Sequence, residues 1–165
     1  MDKKTQKKYH ELSYEILPDT YYEHGYRVKF EGFTADYIYD IAALLASCQV
    51  DNTYGIICCG CEVMGCGGLY VSTRIIGDDI VWEKFWDHQS AMPPEPEEEL
   101  SEFDLAYISE NKEDHLIIKP PIYFELDKYI AFAEELERDA MKFSHYKKYL
   151  HDKLNKYLSG DTFSY

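Results

Sequence analysis

The sequence predicts an α+β fold: a mostly antiparallel sheet packed by one short helix and a long C-terminal helix. Three observations point there. Leu69, Val71, Thr73 and Ile75 alternate with Tyr70, Ser72 and Arg74, and a Gly77-Asp78-Asp79 turn leads into a second alternating run. Apolar residues recur at helical spacing between Ile130 and Tyr157. The chain has 165 residues, 45% of them hydrophobic and 16% aromatic, enough for one core, since domains cluster near ~100–150 residues. A single domain over 1–165 is therefore expected. That composition excludes a disordered chain, and no apolar run approaches the ~18–20 residues of a membrane helix.

Taken in order, Leu12, Tyr14 and Ile16 alternate with Ser13 and Glu15, and after Pro18-Asp19 the residues Tyr26, Val28 and Phe30 alternate with Arg27 and Lys29. Two half-buried strands fit that period. Thr34 can cap a helix, Asp36 suits its positive end, and Ile38, Ile41, Ala42 and Leu45 recur at helical spacing, which predicts a helix over 35–47. Tyr54 to Cys58, the run around Val71, and Ile80 to Phe85 form a three-stranded meander. In its last strand Ile80, Trp82 and Lys84 share one face and Val81, Glu83 and Phe85 the other, with Trp82 a core residue.

Residues 87–101 carry Pro93, Pro94 and Pro96 among Glu95, Glu97, Glu98 and Glu99 with no apolar period, which reads as a solvated acidic loop. Strands are expected at Phe103–Ile108, His115–Lys119 and, after Pro120-Pro121, Ile122–Leu126. Asp127 then caps the longest element, whose apolar face is Ile130, Ala133, Leu136, Ala140, Phe143, Leu150, Leu154 and Tyr157. Ser144-His145 is a plausible break, so one helix and two are equally acceptable. Residues 142–158 form a basic helical tail, with Lys142, Lys147, Lys148, Lys153 and Lys156 opposite the apolar stripe. Lysines there match the helix dipole or touch an anionic surface.

Net charge is −14, from 17 Lys+Arg against 31 Asp+Glu. The lysines gather at the two ends, leaving an acidic body between them. Such a body repels phosphate backbones and anionic lipid, so neither nucleic acid nor membrane is an expected partner. The same field steers a basic protein onto the surface. Met1–Leu12 has no apolar stretch behind Lys3, Lys4, Lys7 and Lys8, so no secretory signal is read and a cytoplasmic location is expected.

The densest chemistry is Cys58, Cys59, Cys61 and Cys66 in a glycine-rich stretch. Four thiolates can hold zinc, and Cys58-x-x-Cys61 has ligand spacing. No second pair follows ~15–20 residues later, so His88 or His115 would have to help, and an extended chain would put Cys58 on the face opposite Cys59 and Cys61. The alternative is a tight turn with small buried thiols.

These residues also carry a resemblance. Cys59-x-Cys61-x-x-x-Gly65-Cys66-Gly67, then Val81-Trp82-x-x-Phe85, then Ile122-x-Phe124-x-x-x-x-Tyr129 entering a helix, resembles a family of small bacterial proteins with a Cys-x-Cys turn, a Val-x-Trp strand and a late Phe-x-x-x-x-Tyr. The likeness spans roughly residues 28–140 and implies a layout without a chemistry. Glu62 and the basic tail depart from the family pattern.

No Gly-x-Ser-x-Gly elbow, His-Glu-x-x-His helix or P-loop is present, and Tyr70 stands where a Gly-x-Gly-x-x-Gly motif requires its third glycine. With 31 acids, any pair could be offered as acid and base, so none is singled out. The 16 tyrosines and two tryptophans suit binding surfaces. The sequence thus predicts a non-enzymatic acidic binding protein, of the immunity or inhibitor kind, that engages a basic protein through Trp86, Glu95, Glu97, Glu98, Glu99 and Glu102. The alternative is a zinc or redox protein built on Cys58–Cys66. A homodimer through the long helix is compatible with either.

Overall fold

In the computed structural model the described residues are 7–18, 24–29, 37–59, 68–87, 116–117 and 120–160. They form an α+β fold around one antiparallel sheet of eight strands. Strand β1 (Ser13–Pro18) pairs with β2 (His24–Lys29) in register Ser13 to Lys29. Tyr14, Tyr26 and Val28 turn to the core, while Glu15 on the other face reaches Lys29 at 3.0 Å and Arg27 at 3.6 Å. Phe30 lies outside the described residues, and Ile16, opposite Tyr26 on the same face, is 47% exposed.

The helix expected over 35–47 is divided. Tyr37–Tyr39 is a short strand, β3, between β2 and the next strand, and the helix α1 spans only Ile41–Ser47. Its cap is Asp40, whose carboxylate accepts the Ala43 amide at 3.1 Å; the expected cap Thr34 lies outside the described residues. Aromatic and β-branched side chains at 37–39 favour an extended chain, and Ile38 matched the helical period by coincidence. All seven residues of α1 are buried, as a helix apolar on every side must be.

The meander is as expected: β4 (Asn52–Cys59), β5 (Gly68–Ile76) and β6 (Asp79–Asp87), with Gly77 at φ 61° in the β5–β6 turn, where a side chain would be strained. One detail differs. The register slips between Ser72 and Thr73, so Glu83 bulges and Phe85 returns to the face of Ile80 and Trp82. The outer edge of β6 is shared by two short strands, β7 (Leu116–Ile117) and β8 (Ile122–Glu125). Pro120 and Pro121, which lack amide protons, stand between them. The strand expected at Phe103–Ile108 lies outside the described residues, as does most of the 87–101 loop.

What shapes the sheet is a contact at its ends. Tyr9 bridges Tyr123 of β8 in parallel, and the His10 amide donates to the Tyr123 carbonyl at 2.8 Å. Four residues later the chain enters β1 at the opposite edge. Four extended residues span at most about 14 Å, whereas a flat sheet would separate β1 from β8 by six strand spacings, roughly 29 Å. The sheet must therefore curl until its edges nearly meet.

Helix α2 (Leu126–Ala140) occupies the inside of that curl. It buries Tyr129, Ala133, Leu136 and Ala140, with Phe132 packed edge-on against Tyr14 and Tyr39. The core residue of its first turn is Tyr129; Ile130, expected there, is only half-buried. Nor does Asp127 cap the helix. Glu125 holds the cap position without a side-chain hydrogen bond, and the Leu126 amide donates to the Asp78 carbonyl at 2.9 Å. Because α2 grows directly out of β8, the β5–β6 turn satisfies its first amide and leaves Asp127 free to favour the positive end of the dipole. The break near Ser144 is real, and α3 (Ser144–Leu158) packs Tyr146, Leu150 and Tyr157 inward. No described helix is long and apolar enough to cross a membrane.

Candidate functional site

Trp82, Phe124 and Tyr129, all quoted above as motif residues, meet in the core, with ring centroids 4.9–6.4 Å apart. Their polar atoms form a one-way chain. Trp82 Nε1 can only donate and does so to the Tyr129 hydroxyl at 3.4 Å; Ser47 Oγ, 2.9 Å from that hydroxyl, also reaches the Leu44 carbonyl at 2.7 Å. A carbonyl only accepts, so Ser47 gives its proton to Leu44 and receives that of Tyr129. The chain is structural: every member has a partner, and burial raises the Tyr129 pKa above its ordinary value.

The described thiols are likewise turned into the protein and bonded to backbone carbonyls. Burial, aided by the Glu134 charge, pushes Cys48 up to about 12, and its thiol donates to the Leu44 carbonyl at 3.2 Å. Cys58 is buried at the end of β4 with its sulfur 3.7 Å from the Ile38 carbonyl. Cys59 is paired through its backbone with Tyr37, its side chain and all of Cys61 and Cys66 lie outside the described residues, and so do His88 and His115. Among the described residues no group of three or more His, Cys, Asp or Glu could hold a metal.

Trp86 is held in the sheet, paired with Tyr70 of β5 and Leu116 of β7; its side chain and Glu95, Glu97, Glu98, Glu99 and Glu102 lie outside the described residues. The basic tail is less uniform than its spacing implied. Lys142 pairs with Asp139 at 3.0 Å, and Lys153 turns inward to Asp40 at 2.7 Å.

Acidic residues that the sequence could not single out converge where the curled sheet fails to close. Two clefts adjoin there, sharing Glu125 and Lys128. The first, about 270 Å³, lies between the 10–12 segment, β8 and α2; its floor includes Leu12, Phe124, Tyr129 and Phe132, and its rim Glu11, Glu125, Glu135 and Lys128. The second, about 390 Å³, is lined by Tyr9, Asp78, Asp79, Glu125, Leu126, Asp127 and Lys128. Together they gather six carboxylates around Lys128, with Lys7 alongside.

Two clamps build this groove. Asp79 accepts the Lys7 ammonium at 2.8 Å through one oxygen and the Tyr9 hydroxyl at 2.9 Å through the other. The Lys7 hydrogen bond holds the Asp79 carboxyl below its ordinary range, and the same bond raises Lys7. Lys128 bridges Glu125 at 2.6 Å and Glu11 at 3.1 Å, which raises its own pKa, the Glu125 bond contributing most. Asp78 and Asp127 are exposed and have no ion-pair partner among the described residues. Glu135 accepts the Tyr14 hydroxyl at 3.3 Å. The local signal was slight: Asp79 reads as a turn residue and Lys7 as part of a charged terminus.

The fold and this groove define a curled-sheet α+β protein with an acidic seam. No protein-family model matches the chain, and no curated protein and no solved structure matches it.

Proposed function

We propose that this chain is a non-enzymatic acidic binding protein that engages a basic protein, in the manner of an immunity or inhibitor protein. The observation that carries the reading is the seam: six carboxylates around two adjoining clefts, on a chain whose net charge is −14. A concave surface with a net excess of one sign, here six carboxylates against Lys128 and Lys7, focuses its field and raises the encounter rate with an oppositely charged partner. The buried Ser47 and Tyr129 support the same reading, because their hydroxyls are committed to each other and so tie α1 to α2.

The test is capture of basic proteins on the immobilised chain at low salt, followed by elution with a salt gradient, for the wild type and for the double variant Asp78→Lys, Asp127→Lys. Both positions are exposed, so the fold should survive, as circular dichroism would verify. The reading expects a cationic species that elutes with salt and is lost by the variant. Capture of no such species, or capture indifferent to the reversal, would overturn it.

A further inference from the structure

Resting on that reading, and naming what it leaves open, we propose that the first cleft receives an arginine side chain of the basic partner, and that Lys128 holds the cation position in the free protein. Size comes first. At about 270 Å³ the cleft has room for one long side chain. Its chemistry is mixed in the way an arginine requires. Leu12 and Phe132 are half-buried and form the accessible floor, against which an aliphatic stem packs and a guanidinium plane stacks. Glu11 and Glu135 stand at the rim, where a planar fork of donors can bond carboxylates in pairs.

Charge complementarity is already expressed within the molecule. Lys128 places its ammonium between Glu125 and Glu11, so the rim holds a cation even without a partner. That lysine is 62% exposed and its Glu11 partner 72% exposed, the kind of pair that solvent screens and that yields readily. An ammonium is a point charge, whereas a guanidinium has five donors in a fixed fork. Exchanging one for the other gains directional bonds to Glu11 and Glu135. The cleft lies on the seam where, among the described residues, the backbones of β8 and of the chain leading into β1 meet at one bridge, Tyr9 to Tyr123, and one hydrogen bond, from His10 to Tyr123.

The probes are blocked Gly-Arg-Gly and Gly-Lys-Gly peptides, titrated at low salt into the full-length, isotope-labelled protein and followed by amide chemical shifts. The arginine peptide should saturate shifts confined to Leu12, Lys128, Phe132 and their neighbours, and bind severalfold more tightly than the lysine peptide. Lys128→Met should tighten arginine binding severalfold, and the pair Glu11→Gln, Glu135→Gln should weaken it roughly tenfold or more. Shifts spread over the whole acidic surface, equal binding of the two peptides, or an unchanged or weakened affinity in Lys128→Met would each overturn the proposal. If the salt-eluted capture above persists while the peptide result fails, the docking reading stands and only the arginine cleft falls.

Discussion

The carboxylate of Asp40, capping the first turn of α1, meets the ammonium of Lys153 on α3 at 2.7 Å, with the Asp40 side chain only 5% exposed. The Tyr157 hydroxyl reaches the same oxygen at 3.0 Å, and Lys153 also lies over the Tyr149 and Tyr157 rings. One acidic side chain thus ends the β3 strand, starts a buried helix and fastens the C-terminal helix to it.

Removing that carboxylate should cost more than removing its cationic partner. Asp40→Ala loses a helix cap, the Tyr157 hydrogen bond and the Lys153 ion pair, for about 2–4 kcal/mol. Lys153→Met keeps the cap and the Tyr157 bond, so about 1–2 kcal/mol is expected. Urea denaturation of the two variants gives the comparison. Equal losses would mean that the cap contributes nothing.

The buried Trp82–Tyr129–Ser47 chain makes a prediction about coupling. Tyr129→Phe leaves the indole N–H without its acceptor and Ser47 without its donor, and Ser47→Ala leaves the Tyr129 proton unplaced, each for about 1–3 kcal/mol. Since both remove the same bond, the double variant should lose clearly less than the sum of the singles. Strict additivity in denaturant melts would contradict the chain.

Alkali should destabilise this protein once the pH climbs past the ordinary values of its thiols and tyrosines. Burial lifts Cys48 and Tyr54 each to about 12, the Tyr54 shift being helped by Asp51, and burial also raises Tyr26, Tyr39 and Tyr129. Below the ordinary values of about 9 and 10, folded and unfolded chains hold these protons alike. Above them the unfolded chain sheds protons first, so stability falls as pH rises from about 9 toward 12. Urea midpoints measured across that range should drop steadily, and the absorbance of the buried tyrosines Tyr26, Tyr39, Tyr54 and Tyr129 as tyrosinates should appear together with unfolding. A flat profile would refute the assignment.

Acid should loosen the seam from the other side. The Lys7 bond depresses the Asp79 carboxyl, so its contribution is present above the unfolded value of about 4 and is lost as pH falls through the lower folded value. At neutral pH, Asp79→Asn should mimic that release, speeding tryptic cleavage after Lys7 severalfold while the core melts as before. Unchanged cleavage would show that Tyr9 and the Tyr123 bridge hold the segment unaided.

How far the fold could be read from the chain follows the range of each interaction. The meander was legible because alternation and a Gly77 turn act between neighbours. The start of α1 was not, since Ile38 satisfies a helical period as well as a strand's, and only pairing with Arg27 and Cys58 selects the strand. The Asp127 cap failed for a similar reason: a carbonyl from Asp78, in another turn, had already taken the first free amide of α2. Acidity was visible in the composition, yet composition cannot choose among 31 carboxylates.

By itself the chain determined its α+β class, its meander, its helical C-terminal stretch and its negative charge, because local periodicity and composition encode them. Only the tertiary structure decided that the sheet curls, that Tyr9 meets Tyr123, and that Glu11, Asp79, Glu125 and Glu135 face one seam. Those contacts join the first residues of the chain to β8 and α2, and no local propensity specifies a pairing across such a separation. It forms because burying the helices inside the sheet removes apolar surface from water, and closing the sheet around them is the geometry that buries most.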